Sequence, residues 1–149
     1  MNRREFLKST VVTGAALSVP PVLGLLAGSL EAAGRPDLCV ARGSSPVASV
    51  RAVLDGIGGI GRFVSRGDIV VVKPNIGWDR TPEYAANTNP EVVAAVVGLC
   101  IEAGAKKVKV FDHPVSDARR TYRQSGIAEA AAPAAAEVSF TDDRKFREM

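Results

Sequence analysis

Three consecutive valines, at positions 70 to 72, run directly into Lys73, Pro74 and Asn75. Proline ends the hydrogen-bond ladder of a strand and keeps the preceding residue out of the helical region, so Lys73 is expected at the carboxyl end of a strand. Ligands of open α/β sheets bind beyond these carboxyl ends. A lysine ammonium there would meet a carboxylate or phosphate, and Asn75 adds a donor and an acceptor on a short side chain. We therefore predict ligand contacts at Lys73 and Asn75; the alternative is a solvated lysine followed by a simple turn.

A second group of candidate ligand contacts opens the next predicted helix. Thr88 and Asn89 are both candidate N-caps, Pro90 suits the first turn, and Glu91 lies three residues after the threonine, as in a capping box. A helix N-terminus presents unpaired N–H groups and a dipole that favour anions. Thr88 and Asn89 are therefore predicted to form the other wall of an anion site.

Asp112 and His113 end the following predicted strand, and His113 is the single histidine of the chain. Such a pair could act as acid and base or contribute to a metal site. One histidine with nearby carboxylates falls short of a metal-ligand set, and adjacent strand residues point to opposite faces. We predict ligand contact by Asp112 and no metal site; the alternative is that Asp112 caps a local turn.

The elements that must position these residues alternate between strand and helix. Four consecutive β-branched residues, Ile69 to Val72, predict a strand buried on both faces, as parallel strands are. The alternation predicts an α/β fold with a mainly parallel, Rossmann-like sheet of about four strands, lacking a covering helix at its C-terminal end. The predicted strands are Leu38 to Ala41, Ile69 to Lys73, Lys107 to Asp112 and Glu137 to Phe140, and the main predicted helices begin at Pro46, Pro90 and Asp117.

The first 33 residues have the order of an export signal. Arg3 and Arg4 precede Phe6, Leu7 and Lys8, and no charge follows from position 9 to position 30. Paired arginines before a moderately apolar segment are typical of the twin-arginine route, which predicts a periplasmic protein or one on the outer face of the cytoplasmic membrane. The domain would then occupy residues 34–149. A retained N-terminal anchor is the alternative, and membrane contact is expected only through this segment.

Composition excludes several classes of function. The formal net charge is +3 without a basic patch interleaved with aromatic residues, so no nucleic-acid partner is predicted. Cys39 and Cys100 are far apart in sequence; they are either buried apolar residues or a disulfide, and their redox state is left open. Since no CxxC or cysteine-rich run is present, no iron-sulfur cluster is expected within this chain.

Three segments together resemble the domain of unknown function 362 family in its twin-arginine-exported form. They are VVVKPNIGWD, NTNPEVVAAVVGLCIEAGAKKVKVFD and ARRTYRQSGI, and the resemblance runs from about Leu38 to the C-terminus. Family members generally continue well beyond the equivalent of Met149, which implies that this chain is the N-terminal part of a larger domain. Some carry a ferredoxin-like iron-sulfur module, whose cluster cysteines this chain lacks.

Three functional hypotheses follow. The first is an exported protein, enzymatic or redox-associated, that binds an anionic small molecule or an unspecified cofactor at the rim. The second is a non-catalytic partner or assembly subunit of a periplasmic redox complex that docks through the unfinished sheet edge, residues 137–149. The third is a truncated product without independent activity. Substrate, reaction and oligomeric state are not specified by these patterns.

Overall fold

Residues 36–142 and Arg144 are described by a computed structural model of the chain. The predicted export signal and most of the charged C-terminal tail lie outside these residues. In chain order the elements are α1 (Pro46–Gly56), a 3-10 turn (Ile60–Arg62), β1 (Ile69–Val72), a second 3-10 turn (Pro82–Tyr84), α2 (Pro90–Glu102), β2 (Lys107–Val110), α3 (Ala118–Gln124), α4 (Ile127–Ala131) and β3 (Ala136–Val138).

The sheet of the described residues has three parallel strands in the order β1-β2-β3. Val70 is opposite Val108, which is opposite Ala136, and Val72 is opposite Val110, which is opposite Val138. The α/β class and the parallel sheet are thereby confirmed.

The predicted strand from Leu38 to Ala41 is absent from this sheet, because the segment pairs with no neighbouring strand. Leu38 and Val40 are 77% and 75% exposed, whereas the side chain of Cys39 packs against α1, where a Cβ added to Gly56 would collide with its Sγ. A short apolar run indicates a strand only if a partner edge is available, and here the contact with α1 takes its place.

Local sequence signals correctly predicted both ends of α2. Asn89 is the N-cap, with its Oδ1 accepting the Glu91 N–H at 2.8 Å, and Pro90 takes the first helical position. At the other end Gly104 has φ +93°, a conformation that glycine adopts without a Cβ penalty. The N–H of Ala105 can then donate to the Cys100 carbonyl at 3.0 Å, which closes the helix.

The helices cover one face of the sheet. α2 contacts β1 and β2, α4 contacts β3, and the two helices pack against each other. Crossovers between parallel strands are right-handed, so strands added successively in one direction place their connecting helices on the same side. The core between these layers consists chiefly of Val93, Val97, Cys100, Val108, Val110, Tyr122 and Ile127.

The opposite face of the sheet is open to solvent. Ile69 and Val71 of β1 are 61% and 52% exposed, and by strand alternation they share this face with Lys107, Lys109 and Glu137. The prediction that β1 is buried on both faces is therefore wrong. Four β-branched residues indicate a strand, but the direction of the crossovers decides which of its faces a helix covers.

A pair of valine truncations tests this one-sided core. Val97→Ala removes two methyl groups from a fully buried side chain and should lower the free energy of unfolding by about 2 kcal/mol. Val71→Ala, the matched control on the open face, should cost less than about 1 kcal/mol. Urea denaturation of both variants measures the difference. Equal losses would show that the face carrying Val71 is covered.

Candidate functional site

An ion pair joins the ends of two neighbouring strands. Lys73 follows β1 and Asp112 lies two residues beyond β2, and the two strands are parallel neighbours. The Lys73 Nζ lies 2.6 Å from the Asp112 Oδ1, with the lysine side chain 67% exposed and the aspartate side chain 7% exposed. Two residues that the sequence placed on separate strands are thus in direct contact at the rim.

Backbone donors hold the carboxylate of Asp112 from the protein side. Its Oδ2 accepts the N–H of the buried Ile76 at 2.8 Å. Burial by itself raises the pKa of the Asp112 carboxyl, but the Lys73 ammonium and the N–H groups of Ile76 and His113 outweigh burial and lower it below its usual value. Asp112 is therefore ionised at neutral pH.

The main chain at Asp112 is fixed by Tyr122 of α3. The Asp112 N–H donates to the Tyr122 hydroxyl oxygen at 2.7 Å, and this hydroxyl donates to the Asp112 carbonyl at 2.9 Å. Burial raises the pKa of Tyr122, so the hydroxyl keeps the proton that it donates. The sequence did not single out Tyr122 as a site residue; its signal was a lone aromatic residue in an otherwise polar helix.

Asn75 and Thr88 close the rim loop, residues 74–88. The Asn75 N–H donates to the Thr88 Oγ1 and the Thr88 N–H donates to the Asn75 carbonyl, both at 2.9 Å. The Asn75 amide also donates to the Ala86 carbonyl at 3.1 Å and accepts the Gly77 N–H at 3.0 Å. The two predicted ligand contacts are therefore brought together, and both side chains hold the loop shut at its base.

Asn87 organises the middle of the rim loop and was missed by the sequence reasoning. Its Oδ1 accepts the Trp78 N–H at 3.0 Å, and its amide donates to the carbonyls of Trp78 and Arg80 at 2.8 and 3.2 Å. Asparagine side chains commonly replace backbone partners in loops, so the Asn-Thr-Asn run was the available signal. The Arg120 Nε lies 2.5 Å from the Asp79 Oδ2 and ties the loop to α3.

The N–H groups at the start of α2 already have acceptors within the protein. Glu91 donates to the Asn89 side chain, Val92 and Val93 donate to the Asn89 carbonyl at 3.1 and 3.2 Å, and Pro90 has no N–H. The expected unpaired donors are thus satisfied internally, and Thr88 bonds to Asn75 instead of completing a capping box. Ligand contact by Asn75, Thr88, Asn89 and Asp112 stays a prediction.

Other reactive groups of the described residues do not assemble into a centre. No group of three or more histidine, cysteine, aspartate or glutamate side chains there could hold a metal ion. Cys39 and Cys100 are free thiols, and burial raises the pKa of Cys100, which keeps it protonated. Two thiols, one of them buried, do not fit the four-thiolate ligation of an iron-sulfur cluster. Within the same residues, no helix has the length and apolar character needed to cross a bilayer.

Acid titration tests the ion pair. Because the pKa of Asp112 is lowered in the folded protein, its contribution to stability is present above its unfolded pKa of about 3.9 and is lost as the pH falls through the folded pKa. At pH 7 Asp112→Asn should cost about 1 kcal/mol, at the low end because water screens the exposed Lys73.

Chemical denaturation from pH 7 to pH 2 should show the stabilities of the wild type and Asp112→Asn converging below about pH 4. Glu137→Gln breaks the exposed Lys107–Glu137 pair, 2.7 Å between Nζ and Oε2, and is the matched control with a smaller loss. A wild-type advantage over Asp112→Asn that is the same at pH 3 and pH 7 would contradict the proposed role of the carboxylate.

Known proteins resemble this chain over its second half. A thylakoid-associated protein of Synechocystis sp. is 48% identical over 85 residues, which are 57% of this chain and 25% of that relative. The chain thus spans about a quarter of the length of the curated relative it matches. No solved structure matches it. The profile of a domain of unknown function (DUF362) matches residues 70–149, which include Lys73, Asn75, Thr88, Asn89 and Asp112. With more than half of its length matched by this profile, the chain belongs to the domain of unknown function 362 family.

Proposed function

We propose that the protein binds a small carboxylate- or phosphate-bearing molecule at the rim, with the Lys73 ammonium as the charged contact. The observation that carries the proposal is the exposure of Lys73 while its Nζ is held 2.6 Å from the buried Asp112 carboxylate. An ammonium has three N–H donors, and Asp112 is the one ion-pair partner of Lys73 within the described residues. The remaining donors face solvent in a fixed position.

Asp112 positions the lysine without fully neutralising it. The carboxylate also accepts hydrogen bonds from the N–H groups of Ile76 and His113, so its negative charge is shared between the ammonium and the backbone. Part of the positive charge on Lys73 is therefore left for an incoming anion. This arrangement orders the lysine before the ligand arrives, which lowers the entropic cost of binding.

The rim loop supports the same function by limiting the space around Lys73. Asn75 and Thr88 close its base, and Asn87 fixes the backbone at Trp78. Asn75, Thr88 and Asn89 act in this proposal by shaping the loop and the helix start, because their side chains already accept hydrogen bonds within the protein. An enzymatic or redox role would add a reaction at this site, with any iron-sulfur cluster held by another polypeptide.

Titration with inorganic phosphate and with acetate tests the binding site. Binding at a hundred times Kd should stabilise the wild type by about 2.7 kcal/mol, measured as a rise in Tm. Lys73→Met should abolish the rise and Lys73→Arg should retain most of it, since the positive charge is kept. The matched control is Lys106→Met, which removes an exposed lysine before the amino end of β2.

Because Lys73→Met leaves the Asp112 carboxylate without its cation, the double variant Lys73→Met/Asp112→Asn is measured beside it. Loss of the Tm rise in both variants separates a lost ligand contact from an unpaired carboxylate. An equal rise in wild type and in both variants would refute the proposal.

We propose further that residues 1–33 direct export by the twin-arginine route to the periplasm or the outer face of the cytoplasmic membrane. The order Arg3, Arg4, Phe6, Leu7 and Lys8 before an uncharged segment supports this assignment. The relative in Synechocystis sp. is named as thylakoid-associated, a location at a membrane.

A reporter fused to residues 1–33 should reach the periplasm, and Arg3→Lys/Arg4→Lys should retain it in the cytoplasm. Lys8→Arg, which preserves the paired arginines, is the control and should export normally. Cell fractionation measures the distribution of the reporter. Continued export of the wild-type fusion in cells that lack the twin-arginine translocase would contradict the assignment.

A further inference from the structure

We propose that the open face of the sheet, formed by Ile69, Val71, Lys107, Lys109 and Glu137, docks an acidic amphipathic helix of a second polypeptide. This inference does not depend on the ligand site at Lys73. Parallel sheets are normally covered on both faces, because their side chains on each face are largely apolar. Here Ile69 and Val71 are 61% and 52% exposed.

The helices of the described chain lie on the other side. α2 covers β1 and β2, and α4 covers β3, because successive right-handed crossovers in the order β1-β2-β3 leave from the same face. A cover for the open face must therefore come from elements other than these crossovers. Helices are the usual covering layer of a parallel sheet.

Charge on the open face selects the chemistry of the partner. Lys107 pairs with Glu137 at 2.7 Å, whereas Lys109, directly opposite Glu137 in the register, has no ion-pair partner in the described part of the chain. The face thus offers two exposed β-branched side chains on the edge strand beside an uncompensated, partly buried lysine on the central strand. A helix with apolar residues over β1 and a carboxylate over Lys109 matches this pattern.

A second copy of the chain fits the face less well. Stacking two copies face to face would bring the two central strands together and place Lys107 and Lys109 of one copy near the same lysines of the other. Like charges brought together in an interface are costly. The sequence predicted docking at the sheet edge after β3, whereas the exposed apolar side chains lie on the face of β1 at the other side of the sheet.

The probe is the part of the Synechocystis relative outside the matched segment, about three quarters of that protein, produced as a separate polypeptide. Titration calorimetry with the full chain should detect binding. Val71→Ser and Lys109→Glu should each weaken it at least tenfold, because one removes apolar contact and the other reverses the charge. Lys106→Glu, a charge reversal in the loop before β2, is the matched control and should bind like the wild type.

Lys73→Met should also bind normally, which distinguishes this surface from the ligand site. Circular dichroism and urea denaturation confirm that each variant is folded; Val71 is half exposed, so Val71→Ser is expected to retain the fold. Absence of binding, or binding that Val71→Ser and Lys109→Glu leave unchanged, would overturn the proposal. Wild-type dimerisation that Val71→Ser abolishes would overturn it in favour of a second copy.

Discussion

The rim depends on one buried carboxylate. Asp112 lies beyond the central strand, and its side chain meets the Lys73 ammonium and the Ile76 N–H while its main chain is held by Tyr122. Two strands, the rim loop and α3 are thereby joined at a single residue. A carboxylate in this position is costly to bury without partners, so its contacts constrain the elements around it.

The order of the strands decides what this rim can be. Ligand crevices of open α/β sheets form where the strand order reverses and neighbouring helices leave on opposite faces. In the described sheet the order β1-β2-β3 runs in one direction, so the ends of β1 and β2 are not such a reversal. The proposed ligand site is therefore built by side chains and a closed loop. The same topology explains why the other face of the sheet is exposed.

Local signals in the sequence predicted individual elements well. The β-branched run before Lys73, the Asn89-Pro90 start of α2 and Gly104 at its end all act through neighbouring residues, and the structure has each feature where it was expected. The residue pairs that build the rim could not be found in this way. Thr88 was assigned to the helix that follows it, but its hydroxyl accepts the N–H of Asn75, thirteen positions earlier. Hydrogen bonds across a loop leave no periodic pattern in the sequence.

The sequence by itself determined the α/β class, the carboxyl-end position of Lys73 and Asp112, and the family to which the chain belongs. Only the tertiary structure decided that these two residues form an ion pair, that the N–H groups of α2 have internal acceptors, and that one face of β1 is open. The reason is physical. Propensities, caps and turns depend on residues close in sequence, whereas burial and ion pairing depend on which strands become neighbours and on the face to which each crossover returns.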